Sequence, residues 1–263
     1  LYNDARAEFV AKLTDMAPKG LSRAFLCNSG AEAVEGALKL ARKHTRKSGF
    51  VAMMGSFHGK TMGALSVTWN PKYRDPFLPL LGNVQFVPYG NAERLRAAIS
   101  AETGAIITEA IQGESGVRLP PEGYLQELRE LCDEKGILLI LDEVQTGLGR
   151  TGRLWASEHS SVIPDIMCLA KGLGGGVPIG ALLAKEEVMA SFEKGDHSST
   201  FGGNPLAAAA GSAVLDVLRE ERLPERAARL GERFKERLGR LQRAYKVVRE
   251  TRGIGLMLAV DLR

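Results

Sequence analysis

The chain has 263 residues, 44% of them hydrophobic and 25% charged, with a formal net charge of +4. That is ordinary globular composition, enough for one large domain or for one domain and part of another. Basic and acidic residues are interspersed, which argues against a nucleic-acid face or a membrane surface. The one basic stretch, 42–47, reads as a helix end with cations near its C-terminus. No apolar run reaches the ~18 residues of a membrane-spanning helix, and no secretory leader is visible. Cys27, Cys132 and Cys168 are an odd set without CxxC spacing. They read as reduced cysteines of a cytoplasmic protein, and no metal site is expected. The chain starts at Leu1 and stops at Arg263 directly after an apolar run, so both ends read as cut.

In chain order, short apolar runs alternate with helical patterns. The runs are 24–27, 50–54, 84–87, 105–108, 137–141, 166–169 and 181–184. They are continuous rather than alternating, as in strands covered on both faces. Between them, segment 31–43 places Val34, Ala37, Leu38 and Ala41 at i, i+3, i+4 and i+7, one face of a helix. Segments 92–101 and 122–135 read the same way. The alternation predicts an α/β fold with a mostly parallel seven-stranded sheet covered by helices. After Asn204 the character changes. Long helices are expected at 205–220 and 224–245, then strands at 246–250 and 256–262. The chain therefore divides into a large domain, 1–219, and the start of a smaller α+β domain, 220–263.

The unusual polar residues fall just past the C-terminal ends of apolar runs. Ser29, Gly30 and Ala31 follow the first run, and Phe57 and His58 the second. Glu109 and Gln112 follow the fourth, Asp142 to Gln145 the fifth, and Lys171 the sixth. Ligands of open α/β sheets bind at that edge. Ser29 and Glu32 have the spacing of a capping box, which needs no ligand. A glycine and a small residue at a helix N-terminus also let backbone N–H groups approach a phosphate. Asp142 at a buried strand end suits a metal ligand, a helix cap or a cofactor partner. Lys171 precedes Gly172 and a run of further glycines, which admit a bulky ligand close to the backbone. An amine in such an apolar pocket can serve as a nucleophile.

Two motifs fail their context. Gly147, Gly149 and Gly152 fit a dinucleotide fingerprint, but five residues separate them from the strand and no good helix follows. The segment 55–61 approaches a phosphate-binding loop of nucleoside triphosphatases. Only three residues separate Gly55 from Gly59, where that loop needs four.

Six stretches carry a resemblance. They are Cys27-Asn28-Ser29-Gly30-Ala31-Glu32, Phe57-His58-Gly59-Lys60-Thr61, Glu109-Ala110-Ile111-Gln112-Gly113-Glu114, Leu141-Asp142-Glu143-Val144-Gln145-Thr146-Gly147, Leu169-Ala170-Lys171-Gly172-Leu173-Gly174 and Ser199-Thr200-Phe201-Gly202-Gly203-Asn204. Over essentially its whole length the chain resembles the class III aminotransferases that use pyridoxal 5′-phosphate (PLP), in the ornithine and acetylornithine group. Segment 66–80 looks most like the acetylornithine and carrier-protein-bound lysine aminotransferases. The resemblance implies the PLP-dependent transferase fold type I and transfer of a terminal amino group to 2-oxoglutarate. Aminotransfer from 4-aminobutyrate, ornithine or a diamine is the nearest alternative.

The resemblance also implies roles. Lys171 is the Schiff-base lysine and the proton carrier. Asp142 pairs with the pyridinium nitrogen, Val144 and Phe57 flank the ring, and Gln145 bonds the phenolic oxygen. Ser29, Gly30 and Ala31 hold the phosphate. Thr200 reaches the phosphate of a partner subunit, which implies a homodimer. Glu114 matches a gating glutamate whose arginine partner lies beyond Arg263, and neither Arg252 nor Arg263 is expected to take its place. Lys60 and Ser199 fall on the substrate side. Family members usually carry arginine where this chain has Lys60, and proline where it has Ala110. A lysine offers a carboxylate only a point charge. Small-molecule donor and acceptor are the implied partners, with an acidic amino-group carrier protein as a further one.

Overall fold

The seven apolar runs become the seven strands of one sheet in the computed structural model, which describes residues 3–263. They are β1 (Arg23–Cys27), β2 (Gly49–Met53), β3 (Val84–Val87), β4 (Thr103–Glu109), β5 (Leu138–Asp142), β6 (Ile166–Leu169) and β7 (Gly180–Ala184). The strand order is β1-β7-β6-β5-β4-β2-β3. Six strands run parallel, and β7 runs against both of its neighbours. A separate antiparallel pair follows, β8 (Val248–Ile254) and β9 (Met257–Leu262). The helices are α1 (Asp4–Asp15), α2 (Gly30–Thr45), α3 (Met62–Ser66), α4 (Pro71–Arg74), α5 (Ala92–Ala98), α6 (Tyr124–Lys135), α7 (Glu186–Met189), α8 (Pro205–Glu220) and α9 (Leu223–Ala244).

Local chemistry sets the boundaries. The α5 helix stops at Ala98, short of the expected 101, because Ile99 is extended. The α6 helix begins two residues later than expected, after Gly123 in a left-handed conformation. The β8 strand starts later than expected because Tyr245 caps α9 and its carbonyl accepts from Val248 N. The short helices α3, α4 and α7 were not expected, since fewer than two turns leave no periodic signal.

Both sheet faces are covered. Alternate strand residues point to opposite sides. Ile166 and Cys168 of β6 pack in the cluster with Val34 and Leu38 of α2. Met167 and Leu169 pack on the other side with Phe9 of α1 and Leu215 of α8. Val51, Ile106 and Leu139 bury against Leu125 and Leu128 of α6. All three cysteines are buried and free. Among the described residues, no helix is long and apolar enough to cross a membrane.

One buried ion cluster pins the rim at which β5 and β6 begin. Asp165 accepts from Leu139 N at 2.7 Å, from Arg129 at 2.8 Å and from Lys185 at 2.6 Å. Burial pushes its carboxyl up, but the Leu139 N–H and the two cations outweigh burial and hold it below its ordinary value. Its stabilisation is present above the unfolded-state pKa and is lost as the pH falls through the lower folded value. Asp165→Ala is expected to cost about 3 kcal/mol by urea denaturation, because it leaves the buried Leu139 N–H without its acceptor and takes the shared carboxylate from Arg129 and Lys185. The advantage of the native chain over Asp165→Asn is expected to fade below about pH 4. An advantage that stays constant down to about pH 2 would show that the carboxylate charge is not what stabilises.

Candidate active site

The parallel strands end on one rim, and a cavity of about 390 Å³ opens there. Ser29, Gly30 and Ala31 come to it from the end of β1, and Phe57 and His58 from the end of β2. Glu109 and Glu114 come from β4, Asp142, Val144 and Gln145 from β5, and Lys171 from β6. The reversed β7 begins on the same rim, so Val177, Pro178 and Ile179 complete the wall. A second cavity of about 760 Å³ shares Val144, Gln145 and Lys171 with the first.

The β1–α2 turn is built as an anion seat. Ser29 caps α2, its Oγ accepting from Glu32 N at 3.2 Å while its carbonyl accepts from Ala33 N. That leaves the first-turn N–H groups of Gly30 and Ala31, which line the cavity, for an outside acceptor. The expected capping box forms only in part. The Glu32 carboxylate turns to Asn28, accepting from its N at 2.6 Å and its Nδ2 at 2.9 Å. Gly30 is required, since a Cβ there would lie 2.8 Å from Val144 Cγ1.

Two adjacent carboxylates separate by strand alternation. Glu143 is fully turned into the protein and accepts from Thr146, Ala156 N and Ser157 N. Asp142 lines the cavity, which settles which of the pair can meet a ligand. Its Oδ1 accepts from Val144 N at 3.0 Å, and its Oδ2 lies 2.8 Å from His58 Nδ1. A carboxylate only accepts, so the Nδ1 of His58 carries the proton. The His58 Nε2 is buried without a partner.

Glu109 is the register neighbour of Asp142 and is also buried. Its oxygens accept from Gly113 N at 3.0 Å and Phe57 N at 3.3 Å. Burial pushes the carboxyl up to about 7, assisted by Asp142 and opposed by His58 and the two N–H groups. His58 and Glu109 line the cavity too, although the motifs that contain them gave neither a role. Their signal was positional, polar groups directly after buried runs.

Lys171 lines both cavities but stands exposed, not enclosed as its glycine flanks suggested. Its φ of 44° is left-handed, a strained backbone that turns the chain sharply from β6 into a short 3₁₀ turn. Three expected site residues lie outside the lining of the first cavity. Lys60 is exposed, with its ammonium 4.2 Å from the Tyr73 ring centroid and 6.0 Å from that of Phe57. The Ser199 hydroxyl accepts from Asn28 Nδ2 at 3.0 Å, and Thr200 is exposed. Gln112 is engaged elsewhere, donating to Met54 O at 2.9 Å. The segment 55–61 runs into α3, a helix of only five residues, so its phosphate-loop likeness has no long helix behind it.

A rim that gathers a lysine, a buried carboxylate and a helix N-terminus has groups that a small-molecule enzyme could use. The aminotransferase class-III family matches residues 1–263, and the chain belongs to that family. An acetylornithine aminotransferase of Methanopyrus kandleri is 56% identical over 99% of this chain, which spans 66% of that protein. A [LysW]-aminoadipate semialdehyde transaminase of Deinococcus radiodurans is 49% identical over 99% of this chain, which spans 61% of it. An ornithine aminotransferase structure from Toxoplasma gondii, with PLP at partial occupancy in its active site, superposes with a TM-score of 0.96 at 39% identity. That match covers all of this chain and 64% of the other.

The raised Glu109 sets a pH test. A carboxyl that binds its proton more tightly folded than unfolded stabilises fully below its unfolded pKa, and that effect is lost as the pH rises through about 7. Without added ligand, the stability of the native chain relative to Glu109→Gln is expected to fall by roughly 2 kcal/mol between about pH 5 and pH 8. Urea denaturation at the two pH values measures it. A flat difference would place the Glu109 proton elsewhere.

Proposed function

We propose that this chain is the cofactor-bearing part of a PLP-dependent aminotransferase. The observation that carries the proposal is that Lys171, Asp142 and the N-terminus of α2 line one cavity. The residues fit PLP on this chain's own features. The unclaimed N–H groups of Gly30 and Ala31, with Ser29, suit the phosphate. Gly30 admits close approach beside Val144. Asp142 is buried, with lone pairs left to accept a hydrogen bond from a protonated ring nitrogen. Phe57 and Val144 would flank the ring, and Gln145 would meet its phenolic oxygen. When bound, PLP supplies an electron sink for negative charge on the carbon that bears the amino group.

The chain's own residues supply the rest. Lys171 Nζ would bond the cofactor; once the donor's amine took its place, the freed Nζ would take the proton from the amino-bearing carbon as general base and return one to the cofactor as acid. Asp142 keeps the ring nitrogen protonated, and His58 holds the Asp142 carboxylate in place from behind. Glu114 guards the substrate side. Lys60 lies beyond the cavity lining and would meet a carboxylate of the donor as a point charge.

The names of the relatives support the substrate class: a terminal amino group on an acetylornithine-like or carrier-bound donor, passed to 2-oxoglutarate. A cytoplasmic homodimer, with Thr200 reaching the partner's phosphate, belongs to the same proposal. So does a division near residue 220 between the cofactor domain and a smaller one.

With PLP added, borohydride reduction is expected to leave the label on Lys171 in a peptide map. A label on another lysine would remove Lys171 from its role. Asp142→Asn is expected to keep PLP bound while turnover falls about 10³-fold, as for a loss of ~4 kcal/mol in the transition state. Steady-state kinetics with N-acetylornithine and 2-oxoglutarate measure it. A variant within about tenfold of the native rate would make Asp142 structural.

A further inference from the structure

Glu109 is a buried acid of the site that the proposed reaction does not use. It ends β4 in register with Asp142 at the end of β5, and both side chains line the cavity. Each is only 5% exposed. Adjacent strands lie about 4.8 Å apart, so the two acids share one space shielded from water. Few other titratable groups face Glu109. His58 approaches from the end of β2. The Tyr89 hydroxyl donates to the Glu109 and Ala110 carbonyls at 3.3 and 2.9 Å. Glu114 lines the cavity from the same loop. Among the described residues, Lys171 is the one lysine or arginine of the lining, and it stands exposed.

Glu109 can hold or release a proton without moving. One oxygen accepts from Gly113 N at 3.0 Å and the other from Phe57 N at 3.3 Å. A carboxylate accepts both bonds, and a carboxylic acid keeps lone pairs enough to do the same. The neighbours are less free. Asp142 already accepts from Val144 N, and its Oδ2 is held by His58 Nδ1. The His58 side chain is fully enclosed, with no partner for a second proton on its Nε2. Burial pushes the Glu109 carboxyl up to about 7, and Asp142 adds to the push. A cation set against Asp142 would act in the opposite sense, because a nearby positive charge favours the ionised acid.

A buried cluster resists a change in its net charge, since each uncompensated charge is costly away from water. A ligand whose ring nitrogen gains a proton at Asp142 adds one positive charge, and loss of one proton from Glu109 restores the balance. We propose that Glu109 is the charge-balancing residue of the site: when a ligand's ring nitrogen is protonated against Asp142, the Glu109 carboxyl gives up its proton. That proton leaves for solvent or passes to the nitrogen, and no other bond forms or breaks. The proposal rests on the PLP reading for its ligand. The competing account is an acid that stays protonated and only holds Phe57 and Gly113.

The test uses the whole protein in its cofactor-free form with pyridoxine 5′-phosphate, which has the ring nitrogen and phosphate of PLP but no aldehyde to bond Lys171. Calorimetry in buffers of different ionisation enthalpy counts the protons exchanged on binding. Relative to Glu109→Gln, the native protein is expected to release about 0.7 more protons at about pH 6.5 and fewer than about 0.1 at about pH 8.5, as for an acid near 7 that ionises on binding. In the infrared difference spectrum of the native protein at the lower pH, the carbonyl stretch of a protonated carboxyl is expected to vanish on binding. Benzyl phosphate, with a ring and a phosphate but no nitrogen, is expected to leave that band in place. Equal proton counts for the two proteins at the lower pH overturn the proposal. So does a band that survives binding, or one that benzyl phosphate also removes. If Glu109→Gln does not fold, the infrared measurement on the native protein decides alone. A native protein that binds neither pyridoxine 5′-phosphate nor PLP overturns the functional reading, and this proposal with it.

Discussion

A common strand direction, kept for β1 by two successive antiparallel pairings through β7, puts the C-terminal ends of β1, β2, β4, β5 and β6 on one rim, and each chemical group of the site is attached to that rim. Were one of those strands reversed, its polar residues would move to the far edge, a strand length away. The single reversed strand, β7, carries none of them. It enters at the rim, and its first residue fits only as glycine, since a Cβ at Gly180 would lie 2.5 Å from Ser29 O. So β7 presses on the anion seat from behind while its preceding residues close the cavity wall.

The two rims treat buried charge in opposite ways. At the rim where β5 begins, Asp165 meets two cations and a backbone N–H, a compensated cluster suited to stability. At the ligand rim, Glu109 and Asp142 sit side by side with one imidazole near them. The Glu109 carboxyl is pushed up toward neutrality by burial, and the His58 Nε2 is left without a partner. An incomplete buried network is costly unless something completes it. A ligand that brings its own positive or proton-bearing group would do so, and the shortfall therefore marks the binding edge.

The sheet was legible because its strands are continuous apolar runs, and the rim because polar residues interrupt those runs at the same end. Two kinds of information were not. Short helices such as α3 and α7 have too few turns to show a period. Contacts between distant residues also leave no local trace: Arg252 reaches Gly116 across 136 positions, and Ser199 reaches Asn28 across 171. Asp142 alone suited a metal ligand, a helix cap or a cofactor partner, and only the structure shows that it lines the cavity while Glu143 turns into the fold. His58 stood directly after Phe57 in the sequence, but only the fold shows that it is buried against Asp142.

Lys60 raises the question of how a donor is recognised. Its ammonium rests over Tyr73 and near Phe57, a contact that holds charge without fixing direction. A guanidinium would grip a carboxylate at two points and fix both its distance and its plane. A point charge fixes distance alone, so a donor carboxylate could turn about it. Discrimination between donors of different length or blocking group would then fall to the shape of the walls. The second cavity shares Val144, Gln145 and Lys171 with the first, and on the proposed reading it would give those walls room for a bulky donor. A loosely held donor makes the acceptor side more important, because one carboxylate contact must still be rigid for the carbon to meet Lys171 in line. The loop that carries Glu114 to the cavity is tied to the main sheet by Glu109 and to the β8–β9 pair by Arg252.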